Sequence, residues 1–345
     1  MHLTILTADL LAPLRFAAPV PTPNLDKLLS RASVTTRAGG ALEDVVLSTF
    51  NKNESVAFIT ASLDLPNDTP NKDVRWLRAD PVHLAVSRDN IQLFDSHIVK
   101  PTLDEMMQIA STLNQHFAHD GIENRLAFMF PDAARGYIAM KPDDLPETTP
   151  LWQMGGANVF DHLPRQRQGL TNWRRVSNEI QMLLHDHPVN IAREAGGQYS
   201  INGLWIWGES GKNGSNENHP HASAQVPHQH LIGRLALARG LAQLCGMSAS
   251  PLPEQFEMPA FQNSLIVLHT PTREIRAMSP YQWQIEVNHI DNNWLAPAVA
   301  ALDDQRLTSL TVIIANEAST LTINAKRKSL LQRFFPNKKT LADYA

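Results

Sequence analysis

The residues best suited to chemistry gather in one polar stretch. His219-Pro220-His221 and His228-Gln229-His230 bring four imidazoles close in sequence, and neutral imidazole is a ligand for zinc or copper. These four histidines are the metal-site candidates. No Cys or carboxylate frame stands beside them, so the same stretch also reads as a loop rich in Gly and Asn. Upstream, Gly208-Glu209-Ser210-Gly211-Lys212 imitates a phosphate-binding loop. That motif needs a glycine where Ile206 stands and a Ser or Thr where Asn213 stands. The chain has no Gly-x-Ser-x-Gly elbow, dinucleotide glycine fingerprint or His-Glu-x-x-His pair. Lys326, Arg327, Lys328, Arg333, Lys338 and Lys339 surround Phe334 and Phe335, a pattern that reads first as a solvated helix end.

The elements that must position these residues follow from periodicity and capping. The first residues form a buried strand ending at Asp9. Thr22 and Pro23 open a helix whose Leu25, Leu28 and Leu29 share one face. An apolar run at 55–61 reads as a second strand, and the polar 64–73 segment as a linker. Strands at 82–86 and 91–94 flank the turn Ser87-Arg88-Asp89-Asn90. Thr102 and Glu105 are spaced as a capping box, ahead of a stripe of Leu103, Met106, Met107, Ala110 and Leu113.

Strands at 126–130 and 137–140 complete a small α+β unit, and 141–169 is a long return connection. A helix at 172–185 precedes a strand at 203–207 and a polar loop at 208–229. Next comes a helix from Leu231 that Gly246 can end. A strand at 264–268, a helix from about Tyr281, a strand at 310–315 and a basic tail follow. Strand–helix alternation at both ends predicts an α/β fold with a doubly wound, mostly parallel core sheet. The core is expected from 1–72 and 171–345, with 73–170 inserted as a smaller α+β domain.

Composition narrows the partners. The chain has 345 residues, 43% hydrophobic, enough for a substantial core. A formal charge of −4 lacks the basic footprint of nucleic-acid or anionic-membrane binding. The single cysteine, Cys245, cannot form an internal disulfide, which fits a reducing compartment. With no signal-peptide pattern after Met1 and no long apolar run, the expected location is the cytoplasm.

Several longer strings carry a resemblance. His187-Pro188-Val189-Asn190 with Arg193, then Asn202 and a strand running into Trp207-Gly208, resemble the cofactor-independent phosphoglycerate mutases, the archaeal-type branch of the alkaline phosphatase superfamily. Thr22-Pro23-Asn24-Leu25-Asp26 is similar to a segment widespread in that superfamily, and Arg239-Gly240-Leu241-Ala242 to a family helix end. Trp76-Leu77-Arg78-Ala79-Asp80-Pro81-Val82-His83-Leu84 and Asn178-Glu179-Ile180-Gln181-Met182-Leu183-Leu184-His185 look closest to a bacterial, regulatory mutase-like group, the RpfE type.

The resemblance implies an alkaline-phosphatase-like fold and a two-metal phosphoryl-transfer site, with manganese or zinc and a Ser or Thr nucleophile. Such a site needs several carboxylates and imidazoles to hold two dications. Against the family pattern, Asp9 stands at the first ligand, followed by Leu10 rather than Gly. Gly40-Ala41-Leu42-Glu43-Asp44-Val45 has no hydroxyl at the nucleophile, with Ser48 and Thr49 further on. Asn316 and Glu317 replace a family Asp-His pair, and 270–288 contains neither Asp nor His.

Asp9 is thus a remnant and Glu317 an altered ligand. The implied reading is a catalytically degenerate mutase homologue serving as a regulatory ligand-sensing or protein-interaction module. The alternative is an active metal-dependent mutase or phosphatase that uses manganese or zinc in an altered site. Arg78, Asn190 and Arg193 are the expected ligand-binding residues for a small phosphate- or carboxylate-bearing metabolite, since guanidinium groups bind such anions bidentately. The resemblance places that pocket between core and insertion.

Overall fold

The computed structural model describes residues 1–10, 20–50, 54–65, 75–87, 90–119, 126–140, 145–154, 158–166, 172–208, 228–268, 279–316, 318–326 and 340–344. In chain order the elements begin with β1 (His2–Ala8), α1 (Pro23–Leu29), β2 (Ser33–Ala38), α2 (Leu42–Phe50) and α3 (Val56–Asp64). Then come β3 (Arg75–Val86), β4 (Ile91–Phe94), α4 (Ser96–Val99), α5 (Leu103–His119), β5 (Ala127–Asp132) and β6 (Arg135–Met140). The two-residue strands β7 (Pro146–Glu147) and β8 (Arg165–Gln166) pair with each other, and α6 (Trp173–His185), α7 (Pro188–Ala195) and β9 (Gly203–Trp207) follow. The chain finishes with β10 (His230–Gly233), α8 (Ala236–Leu244), β11 (Ser248–Ser250), β12 (Asn263–Val267), α9 (Pro280–His289), a π-helical turn (Ile290–Leu295), α10 (Ala296–Asp303), β13 (Ser309–Ala315) and β14 (Ser319–Lys326).

Two compact units result, Met1–Lys52 with His219–Ala345, and Asn53–Asn218. The first holds a seven-stranded sheet in the order β11-β10-β12-β1-β13-β14-β2. Five neighbours, β11 to β13, run parallel, and β14 is antiparallel to both β13 and β2. The expected α/β class with a mostly parallel sheet is the one observed. β1 is buried along almost its whole length, as a central parallel strand must be. Leu25, Leu28, Trp283, Val287, Leu295 and Val299 from α1, α9, the π turn and α10 pack against Leu3, Ile5 and Val312 in one core.

The second unit is antiparallel throughout, β4-β3-β6-β5 with β9 also paired to β3. Its core joins Met106, Ile109, Leu113 and Phe117 of α5 to Trp173, Val176 and Ile180 of α6 over Leu77, Phe128 and Ile138. No helix among the described residues is long and apolar enough to cross a membrane.

Four expectations change. The insertion is wider than 73–170, because β9 pairs with β3 from Gly203↔Val82 to Trp207↔Arg78 and therefore leaves the core sheet. The 55–61 run is helical. Ser55 caps it by accepting from the Phe58 N–H at 3.1 Å, and Ala57 and Ala61 pack on Trp76 and Tyr137. Leu231 lies in the buried strand β10, and the helix that follows starts only at Ala236. On α5 the buried stripe is Met106, Ile109, Leu113 and Phe117, whereas Leu103 and Met107 face solvent.

Candidate functional site

Asp9, Gly40-Ala41 and Asn316, singled out in the sequence by the resemblance, lie together at the carboxyl ends of β1 and β13. Asp9 follows β1 with a left-handed backbone, φ 54°. Its N–H donates to the Ala315 carbonyl at 2.7 Å, and its carbonyl accepts from Trp283 Nε1 at 3.1 Å. The side chain is buried. Gly40 N–H donates to the Asn316 carbonyl at 3.0 Å, which fixes the start of α2 beside the end of β13. Ala41 N–H donates to Asp44 Oδ2 at 3.1 Å, so Asp44 closes the first turn of α2.

The carboxyl edge of a parallel sheet is where α/β folds place ligands. The Gly40–Val45 stretch at the start of α2 carries no hydroxyl, and Ser48 and Thr49 further along α2 donate to the Val45 carbonyl at 2.8 and 2.7 Å. Asn316 Nδ2 donates to the Ser319 and Ile314 carbonyls at 3.1 and 3.4 Å. A neutral amide held by carbonyls is a poor partner for a dication. Among the described residues no group of three or more His, Cys, Asp or Glu side chains could hold a metal ion. The described donors therefore do not fit a two-metal centre. Glu317 and the 269–278 segment lie outside the described residues.

Of the four candidate histidines, His219 and His221 also lie outside them. His230 is not placed as a ligand. Its Nδ1 lies 2.7 Å from Ser248 Oγ, its Nε2 2.9 Å from Ser250 Oγ, and its ring stacks on Phe261 at 4.4 Å. Burial lowers the pKa of both His228 and His230 below the ordinary histidine value.

The three expected anion-binding residues are all in the second unit, buried, and engaged within it. Arg78 and Asp80 are two residues apart on β3 and share a face. Arg78 Nε and Nη2 donate to Asp80 Oδ1 at 3.0 and 2.7 Å, and the guanidinium lies 5.0 Å from the Trp207 ring centroid and 5.5 Å from that of Tyr137. Asp80 Oδ2 accepts from Trp207 Nε1 at 2.8 Å. Burial raises the Asp80 pKa, and the Arg78 charge opposes that shift.

Asn190 is a backbone clamp. Its Nδ2 donates to the Leu184 and Ile201 carbonyls at 2.7 and 2.9 Å, and its Oδ1 accepts from Ile201 N–H at 2.7 Å. Arg193 Nη1 donates to Glu105 Oε2 at 2.8 Å, Nε to the Tyr199 carbonyl at 2.7 Å, and Nη2 to the Val99 carbonyl. One guanidinium thus ties α7 to the end of α4 and the start of α5.

Sequence reasoning passed over Asp64-Arg135-Tyr137. Arg135 grips Asp64 with two contacts of 2.8 and 3.2 Å, and Tyr137 donates its hydroxyl to Asp64 Oδ2 at 2.5 Å. Burial raises the Tyr137 pKa far above the usual phenol value. The available signal was the i, i+2 spacing of Arg135 and Tyr137, which puts both on one face of β6.

No protein-family model and no curated protein matches this chain. Solved structures do. The structure of the PH0037 protein from Pyrococcus horikoshii superposes with a TM-score of 0.51 at 16% identity, covering 94% of this chain and 87% of that one. The cofactor-independent phosphoglycerate mutase from Thermoplasma acidophilum gives a TM-score of 0.42 at 14% identity, over 94% of this chain and 89% of that one. The likeness to PH0037 is one of fold.

Proposed function

We propose that the chain is a catalytically degenerate relative of the cofactor-independent phosphoglycerate mutases that works as a regulatory, interaction-type module. One observation carries the reading. Asp9, Ala41 and Asn316 come together at the carboxyl edge of the parallel sheet, where this fold class places catalysis, and that trio offers one carboxylate and no hydroxyl. The motif strings supply the mutase-like part of the proposal. The partners of Arg78, Asn190 and Arg193 support a structural role for these side chains and speak against their holding a phosphate- or carboxylate-bearing metabolite.

The test is a phosphoglycerate mutase and phosphatase assay of the full chain with added manganese, cobalt or zinc, beside metal analysis of the purified protein. The expected result is no turnover above background. Turnover abolished by a chelator and by both Asp9→Ala and Glu317→Ala would establish the altered-site enzyme instead.

A further inference from the structure

Within the first unit a cavity of about 360 Å³ opens beside β10, β11 and β12. It shares no residue with the Asp9–Ala41–Asn316 edge. Trp294, Phe261, Met258 and Leu252 are among its apolar lining residues, with Ile232 and Ile266 at the sheet. His230, Ser250 and Glu257 are its polar members. The volume falls in the range of small-molecule sites, which pair an apolar lining with a few polar groups.

The walls are held in place before any ligand arrives. Pro251, Pro253 and Pro259 restrict the covering segment, since each fixes its own φ. Phe256 N–H donates to the Asn293 carbonyl at 3.1 Å, fastening that segment to the π-helical turn that carries Trp294. Turns of this type leave carbonyls open to outside donors and recur at functional sites. Arg234 Nη2 donates to the Leu252 carbonyl at 3.1 Å, a second tie on the same segment. His230 is clamped between Ser248 and Ser250 against Phe261.

The electrostatics choose the ligand's charge. Glu257 is the lining carboxylate, exposed and thus hydrated, and neither Lys nor Arg lines the cavity among the described residues. Buried His230 favours its neutral form. An anion would meet Glu257, and the Arg234 guanidinium, engaged by the Leu252 carbonyl, is not among the lining residues. A cation would meet a carboxylate and a lining that includes Trp294 and Phe261, aromatic rings of the kind that attract positive charge through their quadrupole.

We propose that this cavity is a binding site for a small organic cation with an apolar body, such as an aryl-alkyl ammonium. The inference does not depend on the mutase-like reading, because the metabolites of that reading carry phosphate and carboxylate.

The experiment is calorimetric titration of the full chain with benzyltrimethylammonium, benzyl alcohol and benzoate at constant ionic strength, repeated on Glu257→Gln and Ala260→Trp. Ala260 is an exposed lining residue, so the indole can narrow the cavity without entering the folded core. The cation is expected to bind roughly tenfold or more tightly than the alcohol, with benzoate weakest. Glu257→Gln should erase most of that preference, and Ala260→Trp should weaken the cation and the alcohol alike. Equal or better binding of benzoate overturns the proposal. So does a cation affinity untouched by either substitution, or no binding of the cation at millimolar concentration. Unchanged melting of both variants shows that the fold is intact.

Discussion

Arg193 shows how a residue with binding chemistry becomes structural. Its guanidinium sits in a closed set of acceptors, two carbonyls and the Glu105 carboxylate, with the residue 2% exposed. A buried charge keeps its place only when paired, and removing one partner strands the other. Arg193→Ala is expected to lower unfolding stability in urea by about 3 kcal/mol. Arg193→Lys should recover only a minor part, because a single ammonium cannot span all three acceptors. Tight binding of phosphoglycerate by the wild type that vanishes in Arg193→Ala without loss of stability would contradict this role.

Gly136 makes a second test at the same scale. A Cβ there would lie 2.2 Å from a Phe130 ring carbon and 2.3 Å from the Ala79 carbonyl oxygen, so strand β6 must shift. Gly136→Ala should cost about 3 kcal/mol in the same measurement, near the top of the range for overpacking.

At the scale of elements, helix ends were the most legible part of the chain. Thr102 N–H donates to Glu105 Oε2 at 2.7 Å and Glu105 N–H to Thr102 Oγ1 at 3.3 Å, the reciprocal pair that the spacing anticipates. Thr22 behaves differently. It precedes α1 as expected, yet gives no side-chain cap. The amides at this helix start are met by Asp291 of the π turn, which accepts from Asn24 N–H at 3.2 Å, Asn24 Nδ2 at 2.9 Å and Leu25 N–H at 2.9 Å.

A cap supplied from more than two hundred residues away leaves no local signature. Asp291→Ala should destabilise the chain by about 2 kcal/mol, because buried amides lose a charged acceptor. Thr22→Ala should cost less than half of that, and thermal melts of the two variants rank them. A larger loss for Thr22→Ala would return the capping role to the local residue.

For the whole molecule, three histidines spread over both units predict a loss of stability just below neutral pH. Carboxylates such as Glu105, Glu179 and Asp303, whose pKa values are lowered, act in stronger acid. Burial depresses His187, His228 and His230, each with an ordinary value of 6.5. His187 also caps α7, its Nδ1 accepting from Val189 N–H at 3.3 Å, while Nε2 lies 2.9 Å from Thr112 Oγ1. A group whose folded pKa is lowered contributes stability that is complete above the unfolded value and lost as pH falls through the folded one. Asp80, with a raised pKa, acts with the opposite sign. Melting temperature is therefore expected to hold above about pH 6.5 and to fall below it, less steeply in His187→Asn, where a good cap remains without the titration. A flat profile between about pH 7 and pH 5 would show that the histidines do not control it.

The sequence by itself determined the fold class, most strands, the 172–185 helix and the absence of a hydroxyl from Gly40 to Val45. All of these rest on spacing within a few residues or on residue identity. Only the tertiary structure decided that β9 belongs with β3, that 56–64 coils into a helix, and that Arg78, Asn190 and Arg193 have partners inside their own unit. A short apolar run satisfies either a helix or a strand, and what it packs against chooses between them. Sheet pairing and buried ion pairs join residues such as Arg193 and Glu105 that are 88 positions apart. Periodicity reports which face of an element is buried, and only the folded chain reports against what.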